Sequence, residues 1–207
     1  MKAFHLVGPA PFYTNSFLLI SDAGNAVVID PAAEVQEYDK ILKEHGSKLS
    51  LILCTHGHYD HVGSAAALKA EWNATLYCEK ADLAGDRMYP LSAADCGYTE
   101  GEQIAVDELR FTAWHTPGHT PGHVALYEPD SKSLFTGDTL FRESIGRTDL
   151  PGGDYSWIMR SILDSLIPLG EEVHIYPGHG PESTIGHETL YNPFIVEVLN
   201  EEVNYRN

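Results

Sequence analysis

Thirty acidic against thirteen basic side chains leave this 207-residue chain with a formal charge of -17. That balance argues against a phosphate-rich partner, because non-specific nucleic-acid affinity comes from Lys and Arg. At 43% hydrophobic and 21% charged residues the composition is that of an ordinary globular domain, and no run approaches the ~18 apolar residues of a membrane-spanning helix. Residues 1–7 carry no charged region ahead of a long apolar run, so no secretory signal is expected. Three cysteines, Cys54, Cys78 and Cys96, lack CxxC spacing and favour a reducing, cytoplasmic setting.

Apolar, β-branched segments predict strands at 2–7, 16–21 and 26–30, with Asp22-Ala23-Gly24-Asn25 as a hairpin turn. Val35, Tyr38, Ile41 and Leu42 recur at helical spacing over 34–45, and Gly46 is a natural stop. A buried strand over 49–55 runs directly into His56-Gly57-His58-Tyr59-Asp60-His61, and a short helix is expected over 63–71. Strands follow at 109–115, 122–128 and 133–136. A helix over 155–167 is expected to carry Trp157, Ile158, Ile162, Leu163 and Leu166 on one broad face. A strand at 172–176 and a helical stretch from 188, interrupted near Pro193, complete the chain. Strands and helices in both halves, joined by hairpins and crossovers, suggest two mixed sheets packed together with helices outside.

The sharpest signal is His56-x-His58-x-Asp60-His61 at a strand terminus. Alternate strand residues point to opposite faces, so four converging side chains need a turn, and Gly57 gives the backbone that freedom. Three imidazoles and a carboxylate suit zinc, or iron and manganese with less selectivity. Three further candidates share the strand-to-turn address: His119 in Thr116-Pro117-Gly118-His119-Thr120, Asp138 in Phe135-Thr136-Gly137-Asp138-Thr139, and His179 in Tyr176-Pro177-Gly178-His179-Gly180. Singly, each would more often be a turn residue; together with the cluster they point to a convergent metal site. Asp30, ending its strand, either supports the His56 loop or merely caps the strand. Arg147 is read as tied to Asp149 or Asp154 in preference to a substrate carboxylate. Tyr59 could line the pocket. His115 falls just outside its turn, His5, His45, His123, His174 and His187 have no matching partners, and Cys54 is read as a small core residue.

The series THGHYDH, TPGHT, FTGDTLF and YPGHG resembles the metallo-β-lactamase superfamily across nearly the whole chain. Within it, segments 144–154 and 180–186 are similar to the glyoxalase II-like (hydroxyacylglutathione hydrolase) branch, especially its short single-domain members. The resemblance implies an α+β, four-layer αββα sandwich formed as one domain over 1–207, without the C-terminal helical domain that helps full-length glyoxalase II grip glutathione. It implies His56, His58 and His119 on one metal, Asp60, His61 and His179 on a second, and Asp138 bridging both, where the common zinc β-lactamases place a cysteine. Two divalent ions, zinc foremost, would lower the pKa of a shared water towards neutrality and supply hydroxide, with Asp60 also orienting it. No GxSxG nucleophile motif competes with that reading.

The expected function is therefore thioester hydrolysis, with an S-(2-hydroxyacyl)glutathione as favoured substrate and another thioester or ester as a variant. The alternative is a persulfide dioxygenase, which shares a Gly-Arg-Thr-Asp segment (Gly146 to Asp149 here) and uses a single iron held by two histidines and an aspartate. Seven intact ligand positions weigh against that and against a retired, non-catalytic module. The acidic balance weighs against a nuclease.

Overall fold

A computed structural model describes residues 1–205, with side chains for 1–200. The first sheet holds β1 (Lys2–Val7), β2 (Asn15–Ile20), β3 (Asn25–Ile29), β4 (Lys48–Leu53) and β5 (Thr75–Tyr77), in that spatial order. β1 to β3 form an antiparallel meander and β3 to β5 run parallel. The crossovers are α1 (Val35–Glu44) and α2 (Ala65–Trp72). Period-two alternation decides what each strand residue touches. Leu18, Ile20, Val28 and Ile52 pack with Tyr38, Leu42 and Leu68 of the helices. Leu19, Val27, Ile29, Leu51 and Leu53 face the opposite way, into the space between the sheets. Both faces of β3 and β4 are covered, which is why these strands read as near-continuous apolar runs.

The second sheet is built from β6 (Gln103–Val106), β7 (Leu109–His115), β8 (Val124–Glu128), β9 (Ser133–Gly137), β12 (His174–Pro177) and β13 (Ser183–Thr184), in the order β13-β12-β9-β8-β7-β6. Between β9 and β12 lie the two-residue strands β10 (Leu140–Phe141) and β11 (Ser144–Ile145), then α3 (Tyr155–Arg160). Phe111, Ala113, Val124, Leu126 and Phe135 meet the first sheet. Ala125, Leu134 and Ile175 pack outward on Ile158, Met159, Ile162 and Leu166, on Ile185 of α4 (Ile185–Tyr191) and on Ile195 of α5 (Pro193–Tyr205). The layers are helix, sheet, sheet, helix, as expected. Among the described residues no helix is long and apolar enough to cross a membrane, and all three cysteines are free.

The helix expected over 155–167 is a composite. α3 gives way to a π-helical segment, Ser161–Leu166, and a 3-10 turn, Ile167–Leu169. Asp154 caps α3 by accepting from the Trp157 amide at 2.8 Å. The register this fixes turns Ile158 and Met159 inward and leaves Trp157 53% exposed, with the Arg160 guanidinium 5.7 Å from its ring centre. Trp157 is thus not part of the buried face. The same helix supports the His119 turn: Ser161 Oγ donates to the Pro117 carbonyl and the Asp154 amide to the Gly118 carbonyl, each at 2.8 Å.

Candidate metal centre

Strand direction brings the loops together. β1, β3 and β4 point the same way in the first sheet, as do β7, β9 and β12 in the second. Their C-terminal loops therefore open on one edge of the sandwich. That edge receives Thr14, Asp30 and the 56–61 turn from one sheet, and His119, Asp138 and His179 from the other. Ties across the seam hold it shut. The Asn15 amide donates to the Gly178 carbonyl at 2.7 Å, and Asn15 Nδ2 donates to the Pro177 and Gly180 carbonyls at 2.9 Å.

All seven residues singled out in the sequence meet there. His58 Nδ1 lies 3.1 Å from His56 Nε2 and 3.0 Å from His119 Nε2. In a second group, His61 Nε2 is 3.4 Å from His179 Nε2 and 3.6 Å from Asp60 Oδ2, and His179 Nε2 is 3.4 Å from Asp60 Oδ2. Asp138 stands between the groups, with Oδ1 3.3 Å from His61 Nε2 and Oδ2 3.4 Å from both His119 Nε2 and His179 Nε2. Donors bound to one tetrahedral zinc are about 3.3 Å apart, so both groups have the right size for an ion.

Hydrogen bonds on the far side of four of the five rings fix a proton on Nδ1. His119 Nδ1 donates to the Arg147 carbonyl and His179 Nδ1 to the Phe12 carbonyl, at 2.8 and 3.2 Å. His61 Nδ1 donates to Asp30 Oδ2 at 3.0 Å. The Thr55 hydroxyl spends its proton on Asp30 Oδ2, so it must accept from His56 Nδ1. Each of these four rings therefore carries a proton on its outward-facing Nδ1 and turns Nε2 inward, where a bound metal ion would take the place of any proton. Nitrogen lone pairs so close repel unless a cation, whether a metal ion or a proton, lies among them. Two buried atoms, His58 Nε2 and Asp138 Oδ1, have no aligned hydrogen-bond partner, although His61 lies near the latter. The donor set fits divalent ions. Asp30, His56 and His61 form a further compact group, but the Asp30 carboxylate is already committed to Thr55 and His61.

The charge balance differs between the groups. Burial pushes His56 well below the usual histidine range and His58 down to about 4. Burial opposes charge on His61 and His179 too, but Asp138 outweighs it, with Asp30 helping at His61 and Asp60 at His179. His61 is held well above its ordinary value and His179 at about 9. Burial likewise opposes ionisation of Asp60 and Asp138, yet the histidines beside them keep both carboxyls below the ordinary range. Thr14 adds a hydroxyl donor to Asp60 Oδ2 at 2.8 Å.

The supporting residues were less visible in the sequence. Asp30 is the support considered there: its backbone is left-handed, at φ 47°, and its carboxylate accepts from the Thr55 amide and hydroxyl at 2.7 Å. His123, read as ordinary, is buried behind the site, its ring stacked 5.0 Å from His56 and its Nε2 accepting from the Asp138 amide at 3.0 Å. Asp82, not singled out at all, accepts from Gly57, Thr120 and Gly122. Gly57 is needed for this close approach and not for turn freedom: its φ is not left-handed, and a Cβ there would fall 2.9 Å from the Asp82 Cβ. Tyr89 was missed as well and lies 5.0 Å from the His58 ring.

Other residues fall outside the donor set. Arg147 pairs with Asp149 through two bonds, at 2.7 and 2.8 Å, as its structural reading expected. His5, His45, His115, His174 and His187 are not among the converging groups, and Cys54 is a buried core residue. Tyr59 meets Phe12 edge to face at 5.3 Å over a cavity of about 310 Å³ that Thr14 and Asp60 also line. A larger groove of about 700 Å³, walled by Phe17, Phe135 and Tyr176, touches none of the seven donors.

Residues 9–179 match the family model for the metallo-beta-lactamase superfamily. The chain belongs to that superfamily. Among its relatives in the superfamily, the hydroxyacylglutathione hydrolase GloC of Haemophilus influenzae is 37% identical over 198 residues, covering 89% of this chain and 93% of that one. The crystal structure of BLEG-1 B3 metallo-beta-lactamase superimposes with a TM-score of 0.83 at 33% identity, over 94% of this chain and 99% of that one. The crystal structure of TTHA1623 in a di-iron-bound form gives 0.79 at 35% identity, over 92% and 99%. The metallo-beta-lactamase fold expected from the motifs is thus shown, and the chain is a superfamily hydrolase with His and Asp clusters suited to divalent metal.

Proposed function

We propose that this protein is a two-metal thioesterase that cleaves S-(2-hydroxyacyl)glutathione. The observation that carries the reading is the pair of donor groups with Asp138 between them. His56, His58 and His119 would hold one ion and Asp60, His61 and His179 the other, with Asp138 shared. The imidazole-rich first group suits zinc, and the carboxylates around the second also suit iron or manganese. The likeness to a relative named for hydroxyacylglutathione hydrolysis, and to one solved with two irons, supports the substrate class and the metal count.

When bound, two divalent ions supply electrophilic activation of a carbonyl and bring the pKa of water near neutrality. The chain's own residues do the rest. Asp30, Thr55, Phe12 and Arg147 fix the imidazole tautomers from behind, so that the lone pairs need no reorganisation. Asp60, kept ionised and oriented by Thr14, accepts a hydrogen bond from the attacking water and so aims it. A thiolate is a good leaving group, so the reaction needs little help from a general acid. The cavity beside Asp60, walled by Phe12 and Tyr59, offers space for the acyl portion. The acidic surface fits a small-molecule substrate better than a nucleic acid.

The test is loss of thioester absorbance with S-lactoylglutathione, using protein whose metal content is measured. Turnover that disappears on chelation and returns with zinc is expected. Negligible turnover with two ions bound would remove this substrate, and oxygen uptake on glutathione persulfide with one iron per chain would replace the reading with the dioxygenase.

A further inference from the structure

Two buried carboxylates brace the donor turns: both hold the turn leaving β4, and only one of them also reaches the turn leaving β7. Asp30 serves Thr55 and His61. Asp82, at the end of the 3-10 turn Lys80–Asp82, is fully buried and touches neither group's donor atoms. Its Oδ2 accepts from the Gly57 amide at 3.1 Å and from Thr120 Oγ1 at 2.7 Å, and its Oδ1 accepts from the Gly122 amide at 2.9 Å. Gly57 sits between His56 and His58, and Thr120 follows His119. The carboxylate therefore cross-links the turn leaving β4 to the turn leaving β7, which belong to opposite sheets. Both glycines are shaped around Asp82: a Cβ on Gly122 would come 2.7 Å from its Oδ1, and one on Gly57 would collide with its carbonyl oxygen and crowd its Cβ.

Those two turns carry the whole of the first donor group. The second group has anchors of its own: Thr14 on Asp60, Asp30 on His61 and the Phe12 carbonyl on His179. We propose that Asp82 is a positioning residue for one ion only, setting the affinity of the His56–His58–His119 site by fixing the distance between its two turns. Removing the carboxylate leaves two buried amides without acceptors. The turns then relax towards other partners, and the three lone pairs no longer converge on one point.

The inference rests on the two-ion reading and not on the substrate. Zinc is titrated into metal-free, full-length protein against a chromophoric chelator, with bound zinc counted by elemental analysis. D60A isolates the first site and H119A the second. In the D60A background, Asp82→Ala is expected to weaken zinc binding ~10–100-fold, the usual effect of losing a residue that orients ligands. In the H119A background it should change binding by no more than about twofold, because Asp82 shares no hydrogen-bond partner with Asp60, His61 or His179. D82N preserves volume but leaves an amide NH2 facing one glycine N–H, and T120V removes one donor of three. Both should shift the same site by less, and they carry the test if the alanine variant does not fold. Equal weakening in both backgrounds, or none in D60A, would overturn the assignment. A wild-type chain that takes up fewer than two zinc ions would overturn the two-ion reading and this inference with it, whereas two ions without thioester turnover would leave it standing.

Discussion

Replacing Asp30 by Asn changes almost no volume, yet it should cost the site one of two things. The carboxylate accepts three bonds: Oδ1 from the Thr55 amide, and Oδ2 from the Thr55 hydroxyl and His61 Nδ1. An asparagine has one acceptor oxygen and one donor nitrogen in those places. If the oxygen keeps the Thr55 amide, the NH2 faces His61 Nδ1, which must then accept. The proton moves to Nε2, where it points at the ion. Losing that ligand's correct tautomer should weaken the second ion ~10–100-fold, or about 1.4–2.8 kcal/mol. If the amide flips, His61 keeps its tautomer, but a buried backbone N–H loses its acceptor, at about 1–3 kcal/mol. Against a total stability of ~5–15 kcal/mol, that lowers the melting temperature of metal-free protein by roughly 2–12 °C. Chelator-competed zinc titration and thermal melts of the apo protein together read both branches. A D30N variant with wild-type affinity at both sites and an unchanged melting curve would refute the tautomer argument.

Other perturbations follow the same geometry. Asp138→Ala removes the carboxylate shared by both groups, so turnover should fall at least a hundredfold, with less than two metals retained by elemental analysis. A Cβ on Gly178 would lie 2.6 Å from His61 Cε1, so G178A should cost about 1–3 kcal/mol by overpacking and weaken the second ion, measured by melting and titration. Metal affinity should also respond to pH differently at the two sites. His61 and His179 are raised and hold protons at neutral pH without metal, so the second ion must displace them. Its affinity should climb with pH through about 9, where His179 loses its proton. At the first site, with His56 and His58 depressed, those two ligands hold no proton to displace at neutral pH, so its affinity should depend less steeply on pH. Trp157→Ala, on an exposed ring, should shift stability by no more than ~0.5 kcal/mol.

The donors were legible because they advertise themselves locally. Four of them occupy six consecutive positions, and the other three repeat one arrangement, a strand running into a short polar turn. The principal strands were legible for a related reason: alternation and β-branched runs survive without knowledge of the partner strand. What the sequence concealed was whatever depends on distant approach. Asp82 is one acidic residue in a polar stretch, and only folding reveals that it reaches Gly57 and Gly122. His123 looks like a spare histidine until its ring is seen against His56. The short strands β5 and β6 have too few residues to display a period, and the π-helical segment after Arg160 keeps both the composition of an ordinary helix and the inward-facing Ile162, Leu163 and Leu166. Trp157, in α3 ahead of that segment, was misplaced because apolar character alone does not say which way a capped helix has been turned.

Four of the seven donors hang from the first sheet and three from the second, so neither half of the sandwich owns a complete binding site. Ion uptake and the mating of the two halves are therefore a single linked equilibrium. Anything that tightens the seam between the sheets, from Phe111 and Phe135 in the middle to the Asn15 bonds at the rim, raises the affinity for ions. Any ion bound there would in turn act as a rivet that makes the seam harder to open.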